Sequence, residues 1–214
     1  MLNSRMITAS LAELALNDES ELATKILCES WMTWRKDHSA LEDIADVSKK
    51  INPLRANLGL VPADLKSTFT AAADFQDEWI AKSEKIVTHG QPHHYNAAEE
   101  NGGFKLINPD SVMAPAAYDM AFIMTNPYDF DKTPEANAAR VTQQFEAQAA
   151  LIENITGIKQ NDTAAATLGH CFTVSAKRFW SIANQGQIEQ GQVQPGYFLD
   201  IAKALSPMAQ FDWK

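Results

Sequence analysis

The residues with the clearest chemical potential lie in one short segment rich in imidazole and amide side chains, residues 89–96, called the histidine loop below. His89, His93 and His94 are close together there, and imidazole is a common ligand of zinc and related ions. Gly90 and Pro92 interrupt the segment, which predicts a loop rather than a helix with ligands at i,i+4 spacing. No Cys or Glu lies nearby at a recognised zinc spacing. We therefore expect histidines that form structural hydrogen bonds, and no metal site.

A second pair of reactive residue types, His170 and Cys171, is adjacent within a helical pattern. Neighbouring residues on a helix point in different directions, so this pair is not expected to act as base and nucleophile. His170 and the isolated His38 are both interpreted as structural. Cys28 and Cys171 each lie in an apolar helical pattern, which indicates buried thiols in a reducing compartment rather than a disulfide.

The elements that must position the histidine loop are predicted to be mostly helices. Apolar residues recur at helical spacing in six segments. The first begins at Asn17-Asp18, whose side chains suit a helix start, and runs to Trp34. The other five predicted helices are residues 65–84, 116–124, 135–155, 168–182 and 197–205.

Short strands are predicted on both sides of the loop. A strand at 85–88 leads directly into it. Residues 95–98 and 104–107 flank Asn101-Gly102-Gly103, a typical turn sequence for a small hairpin. The fold class is therefore mainly α (α+β), a helical bundle with one small β-hairpin sheet.

The remaining segments are interpreted as connections within a single domain, residues 1–214. Residues 1–6 form an N-terminal tail, and the stretch between Pro53 and Pro62 is predicted to be rich in loops. The glutamine- and glycine-rich residues 185–196 are predicted to be a mobile surface loop, with a partner-binding lid as the alternative.

The order of these elements, together with three motifs, resembles the C-terminal lobe of the aminoglycoside phosphotransferase superfamily. The nearest pattern is that of the streptomycin 6-kinase and hydroxyurea-type antibiotic kinases, which reads approximately HGDLHHGN, then a glycine-containing hairpin and IDP, then PAYDLA. Here the corresponding segments read HGQPHHYN, NGGFKLINP and PAAYDMA, and NDESELATKILCES resembles the family's acidic-start helix. The resemblance runs from about residue 7 to the last helix. It implies the C-lobe of a protein-kinase-like fold, with the N-lobe absent.

The family reaction transfers the γ-phosphoryl group of ATP to an antibiotic hydroxyl, which depends on positioning and charge neutralisation. In the family pattern a loop Asp accepts or orients the hydroxyl proton, a loop Asn coordinates Mg²⁺, and the Asp of IDP supplies the main anionic ligand. These positions are Gln91, Asn96 and Asn108 here. The amide of Gln91 cannot take a proton, and Asn108 lacks the charge with which carboxylates hold Mg²⁺. The resemblance thus implies a vestigial site in which neither a catalytic base nor a metal at Asn96 and Asn108 is expected.

Other motif residues are interpreted as structural. The resemblance implies that His89, Gly90 and His93 brace the lobe together with Tyr118 and Asp119 of the PAAYDMA segment. On this interpretation these residues persist because the lobe needs them to fold.

Three further positions near the vestigial site depart from the family pattern or offer alternatives. Pro92 and Tyr95 differ from the family loop, and Tyr95 stands where a glycine would give conformational freedom, so a reshaped backbone is expected. Asp110 offers a carboxylate two residues beyond Asn108. The intervening Pro109 and the turn context argue against Asp110 taking over the role of residue 108.

Charge and hydropathy exclude several classes of partner. Eighteen basic and 27 acidic residues give a formal net charge of −9 without a dense basic run, which opposes binding to nucleic acid or anionic membranes. The acidity is interpreted as favouring solubility, with docking on a basic partner as the alternative. Residues 1–15 lack a continuous apolar stretch, and no window approaches 18 apolar residues. A cytoplasmic location is therefore expected.

These observations predict a non-catalytic, pseudokinase-type binding or regulatory protein derived from an antibiotic phosphotransferase. It is expected to act through a protein partner, as an inhibitor or adaptor, and to need no cofactor. The alternative is a split or partner-completed, streptomycin-type phosphotransferase, in which a second polypeptide supplies the N-lobe and Mg-ATP is the phosphoryl donor.

Overall fold

Eight helices and four strands make up the part of the chain described by this computed structural model, residues 10–17, 19–41, 44–187 and 193–213. The helices are α1 (Leu11–Leu16), α2 (Ser20–His38), α3 (Ser48–Ala56), α4 (Lys66–Lys82), α5 (Ala117–Thr125), α6 (Pro134–Thr156), α7 (Gln160–Gln185) and α8 (Pro195–Leu205). The strands are β1 (Lys85–Thr88), β2 (Ala97–Glu100), β3 (Gly103–Leu106) and β4 (Val112–Pro115). The predicted mainly helical class with little antiparallel sheet is confirmed.

The described strands form two separate antiparallel sheets rather than the one hairpin sheet predicted. Strands β2 and β3 are the predicted hairpin, and positive φ angles at Asn101 (53°) and Gly102 (79°) make its turn. Strand β1 pairs with β4, with Lys85 opposite Pro115 and Thr88 opposite Val112. The sequence did not predict β4, because four residues between a turn and a helix are too few to show strand alternation.

The stretch between Pro53 and Pro62, predicted to be rich in loops, contains the last three residues of α3 and a short 3-10 turn at Leu58–Leu60. Tertiary contacts explain why the helix continues past Pro53. Leu54 is fully buried in the core. The next residue, Arg55, forms ion pairs with two carboxylates of α4, those of Asp74 and Asp77. The burial of Leu54 and the ion pairs of Arg55 therefore override the local helix-breaking signal.

The ends of helix α6 follow ordinary capping chemistry. Helix α6 begins after Thr133, whose hydroxyl accepts the Ala136 backbone N–H at 3.2 Å. It ends at Gly157, which has the left-handed conformation (φ 77°) that suits glycine. Helix α7 follows after only two more residues and is longer at both ends than the predicted 168–182.

One large apolar cluster joins helices from both halves of the chain. It contains fully buried aromatic side chains from α2, α4, α6, α7 and α8, namely Trp31, Phe69, Phe145, Phe172 and Tyr197. The Tyr197 hydroxyl donates a hydrogen bond to the Thr125 carbonyl at 2.8 Å, which ties α8 to the end of α5.

Two predictions concern segments that lie wholly or partly outside the described residues. The N-terminal tail at 1–6 is one, and residues 188–192 of the predicted mobile loop at 185–196 are the other. At the flanks of that loop, α7 reaches Gln185 and α8 starts at Pro195. None of the described helices combines the length and the apolar character needed to cross a membrane.

Candidate functional site

A fully buried carboxylate, Asp119 in the first turn of α5, holds the start of the histidine loop. Its Oδ2 accepts hydrogen bonds from the indole Nε1 of Trp31 and the backbone N–H of His89, both at 2.7 Å. Its Oδ1 accepts the backbone N–H of Gly90 at 2.8 Å. One side chain thus joins α2 and α5 to the segment that leaves β1. Asp119 therefore fixes the positions of these three segments relative to one another, and we call this contact the brace.

The carboxylate of Asp119 is buried, and burial disfavours its charged form. Burial raises the pKa of Asp119 to about 6, and the hydrogen bonds from Trp31, Gly90 and His89 act in the opposite direction. Hydrogen bonds to the ionised form favour that form, so the three donors limit the penalty of desolvation. The carboxylate is therefore occupied by structural contacts.

Gly90 allows a second segment to lie directly against the loop. Its φ is 85°, and a Cβ at this position would lie 2.1 Å from the carbonyl oxygen of Asp110. The backbone N–H of Asp110 donates to the carbonyl of His89 at 2.8 Å. Only glycine combines this φ with so close an approach. The contact fixes the chain after β3 beside the histidine loop.

The side chain of Gln91 points to the segment held by Gly90. Its Nε2 donates to Oδ2 of Asp110 at 3.3 Å. Its backbone carbonyl accepts Nδ2 of Asn96 at 3.0 Å, and that nitrogen is also 3.2 Å from Nε2 of His93. The structure therefore brings Gln91, His93 and Asn96 together, as the motif positions predict, and adds Asp110.

Asn108, the remaining position of the proposed vestigial site, faces elsewhere. It is exposed, and its φ of 53° is one that asparagine tolerates better than most residues. Among the described residues, Asp110 rather than Asn108 lines the cavity next to Gln91. The place of Asp110 in the cavity wall was not predicted, because Pro109 and the turn context argue against it in the sequence. The left-handed turn at Asn108 is what redirects the chain.

The imidazoles of the loop are neutral at neutral pH. Burial lowers the pKa of His89 to about 4 and that of His94 to about 3, and it also lowers the pKa of His93. The His89 ring packs edge-on against Trp34, with ring centroids 5.0 Å apart. Such weakly basic rings are poor general bases. In the described part of the chain, no three His, Cys, Asp or Glu side chains are grouped so that they could hold a metal ion.

A cavity of about 290 Å³ lies against the loop. One wall is formed by Gly90, Gln91 and His93 together with Asp110. The other walls come from α4, α5, α7 and α8, and they include Gln76, Tyr118, Phe122, His170, Lys177 and Arg178. Tyr118, predicted to be only structural, is therefore also a cavity residue.

The contribution of α7 to the cavity wall was not predicted from the sequence, in which His170 is isolated and was interpreted as structural. His170, Thr173 and Lys177 recur at spacings of three and four, which places them on one helix face, and all three line the cavity. A polar stripe on a largely buried helix was the available signal. The stripe could be assigned to a cavity only once the elements packed against that helix face were known.

Comparison of the chain with known protein families and with curated proteins gives no match.

Replacing Asp119 by asparagine should destabilise the fold, because an amide NH₂ would face a backbone or indole N–H whichever way the side chain turns. The substitution Asp119→Asn is expected to lower the free energy of unfolding by about 1.5–3 kcal/mol, the range for hydrogen bonds to charged groups. Urea denaturation at pH 7.5 measures the change. Asp200→Asn, at an exposed position on α8, is the matched control and should change stability by less than about 0.5 kcal/mol. Equal effects of the two variants would contradict the bracing role.

Stability should fall on acidification from pH 7 to pH 5. Burial lowers the folded-state pKa of His89 to about 4, and of His94 and His170 to about 3, from the usual 6.5. The unfolded chain therefore binds three protons in this interval that the folded chain does not. Asp119 offsets one of them, because its pKa, raised to about 6, lets the folded chain bind a proton first. Each net proton is equivalent to about 1.4 kcal/mol per pH unit.

Urea unfolding at pH 7, 6 and 5 measures this dependence. His94→Leu removes one of the buried imidazoles without a large change in volume, and it should reduce the pH dependence by about one proton. His38→Leu, at a partly exposed imidazole on α2, is the control. Stability that is constant from pH 7 to pH 5 in the unmodified chain would refute the assignment of neutral, buried histidines.

Proposed function

We propose that this chain is a non-catalytic, pseudokinase-type binding or regulatory protein, with the C-lobe of a kinase-like fold derived from the antibiotic phosphotransferases. The contact that supports this most directly is the one between Gln91 and Asp110. At the position of the family's proton acceptor, an amide donates a hydrogen to a carboxylate. That arrangement holds the side chain of Gln91 as a donor and gives it no capacity to accept a proton.

The retained scaffold supports descent from an active lobe. The order of elements and the brace around Asp119 both accompany the motif HGQPHHYN. A loop that is still held in a defined shape after its acidic residue has been replaced is suited to recognition. Folds commonly keep their framework while their sites change.

The histidine loop itself offers little for holding the Mg²⁺ ion that phosphoryl transfer uses. Transfer from ATP requires cations, usually Mg²⁺ held by carboxylates, to neutralise the phosphate charge. Asn96 and Asn108 are neutral, and the nearby imidazoles of His89 and His93 have lowered pKa values because of burial. We therefore propose that no nucleotide cofactor or metal is needed.

Exposed aromatic side chains support a protein partner. We use the name aromatic surface for two of them, Tyr95 of the histidine loop and Phe130, which are 54% and 63% exposed. Burial of part of its ring raises the pKa of Tyr95, and the charge of Asp129 raises it further. The Phe130 ring packs against Tyr128 with centroids 5.0 Å apart. Exposed aromatic side chains are enriched where proteins bind one another.

A partner-completed phosphotransferase is the second candidate, and Asp110 is the observation in its favour. Its carboxylate lines the cavity beside Gln91 and could contribute to a cation site once an N-lobe is supplied by another polypeptide. Under this candidate the cofactor is Mg-ATP. The acceptor would be an antibiotic hydroxyl.

Isothermal titration with Mg-ATP separates the two candidates. We expect the chain alone to bind Mg-ATP with a Kd weaker than about 1 mM, because the loop lacks the charged ligands for the metal. Titrations in EDTA show whether any binding depends on the metal. Metal-dependent binding at micromolar concentration would overturn the non-catalytic proposal. Such binding that arises only after addition of an N-lobe polypeptide would support the second candidate.

Substitutions on the aromatic surface test the protein partner. Tyr95→Ala and Phe130→Ala should each reduce recovery of the specific partner from the source cell at least tenfold, as expected when an aromatic anchor of an interface is truncated. Quantitative pull-down with mass spectrometry measures recovery. Trp180→Ala, which removes another exposed aromatic ring on α7 (42% exposed), is the matched control. A partner retained equally by all variants would exclude this surface.

A further inference from the structure

We propose that the cavity beside the histidine loop binds a small neutral molecule that carries an amide group and an aliphatic body. The volume of about 290 Å³ is near the lower end of the range for small-molecule sites, so a compact ligand is expected. Tyr95 and Phe130, which define the aromatic surface, are not among the described lining residues. A ligand here is therefore a function additional to partner binding.

One polar group of the lining is almost completely withdrawn from solvent, the amide of Gln76 on α4, which is 4% exposed. Its Oε1 accepts a hydrogen bond from the Thr173 hydroxyl at 3.4 Å. Glycine at position 169 leaves room for it, because a Cβ there would lie 2.7 Å from Nε2. Among the described residues, Nε2 has no hydrogen-bond acceptor. A buried donor without an acceptor is costly, so this N–H group suits the carbonyl oxygen of a ligand.

Two more polar groups of the lining, the hydroxyl of Tyr118 and the imidazole of His170, form no hydrogen bond within the part of the chain that the structure describes. The Phe122 ring packs against both, with centroids 5.5 Å and 4.5 Å away. Burial raises the pKa of Tyr118 and lowers that of His170 to about 3, so both groups are neutral at pH 7. A phenol and a neutral imidazole can each accept a hydrogen bond as well as donate one.

The charged residues of the lining are engaged elsewhere. Lys177, Arg178 and Asp110 each already have an interaction partner. In the described lining, the buried or half-buried groups left for a ligand include an amide, a phenol and an imidazole, all of them uncharged. A charged ligand held by such partners loses its hydration without gaining a counter-charge, and a neutral amide avoids most of that cost.

The two halves of an amide match these groups without any change of protonation. The ligand carbonyl can accept Nε2 of Gln76, and the ligand N–H can donate to the oxygen of Tyr118 or to the unprotonated nitrogen of His170. Val174 and Phe198 add apolar surface to the lining. The rings of the lining meet at 59–74°, so they form no flat plane for stacking. An aliphatic body is therefore expected, because its removal from water requires no such plane.

Probes of similar size test this inference on the unmodified chain. ε-Caprolactam carries C=O and N–H, cycloheptanone has the same ring size with C=O alone, and azepane and cyclohexanecarboxylate are a cation and an anion at pH 7. Ligand-observed NMR and isothermal titration should show caprolactam binding most tightly and the other three about tenfold more weakly. The ketone leaves the acceptors of the cavity unpaired, and the ions bring uncompensated charge.

These probes contain no phosphate and need no metal, so their outcome is independent of the Mg-ATP titration and of the partner pull-down. Binding of the ketone or of either ion as tight as that of caprolactam would overturn the proposal. The absence of caprolactam binding at 10 mM would do the same.

Variants then assign the two hydrogen bonds. Gln76→Leu removes the donor to the carbonyl and should weaken caprolactam and cycloheptanone alike, by about fivefold. The double substitution Y118F/H170F removes the acceptors and keeps aromatic rings, so it should weaken caprolactam about fivefold and leave cycloheptanone unchanged. Tyr95→Phe, which deletes an exposed phenol hydroxyl outside the lining, is the control and should change neither affinity. Circular dichroism checks folding, and a folded double variant that binds caprolactam as tightly as the unmodified chain would refute the site.

Discussion

A carboxylate without access to water has a large desolvation cost, and the position of Asp119 depends on how the surrounding chain compensates for it. The indole of Trp31 and the backbone N–H groups of His89 and Gly90 do so with short hydrogen bonds. Because these donors come from α2 and from the segment after β1, the carboxylate sets the relative positions of both against α5. The direction of the histidine loop follows from this contact. Bonds to an ionised acceptor are among the stronger ones that a protein forms.

The shape of the loop then determines what its side chains can do. Once His89 and Gly90 are held, the chain after β3 approaches the loop closely enough to place Asp110 beside Gln91. The result is a site in which the carboxylate of Asp110 receives a hydrogen bond from the neutral amide of Gln91. Burial keeps the adjacent imidazoles uncharged as well. The neutral amide at position 91 and the uncharged imidazoles are the basis for proposing recognition rather than phosphoryl transfer at this site.

Two different surfaces near this loop are suited to recognition. The aromatic surface leaves Tyr95 and Phe130 54% and 63% exposed, which suits contact with a macromolecule. The cavity is small, about 290 Å³, and its lining includes the rings of Tyr118, Phe122, His170 and Phe198. Since both are near residues 89–96, the brace at Asp119 contributes to the geometry of each.

Local sequence determined those features that depend on neighbouring residues. Periodic apolar side chains predicted most helices, the Asn101-Gly102-Gly103 turn predicted the hairpin, and the histidine loop was identified because its residues are contiguous. Tertiary structure alone decided that α3 continues past Pro53, that β4 pairs with β1, and that Asp110 joins the site. It also decided that α7 supplies the opposite wall of the cavity. Those outcomes depend on contacts between residues far apart in the chain, whose energies outweigh local preferences and leave no periodic signal in the sequence.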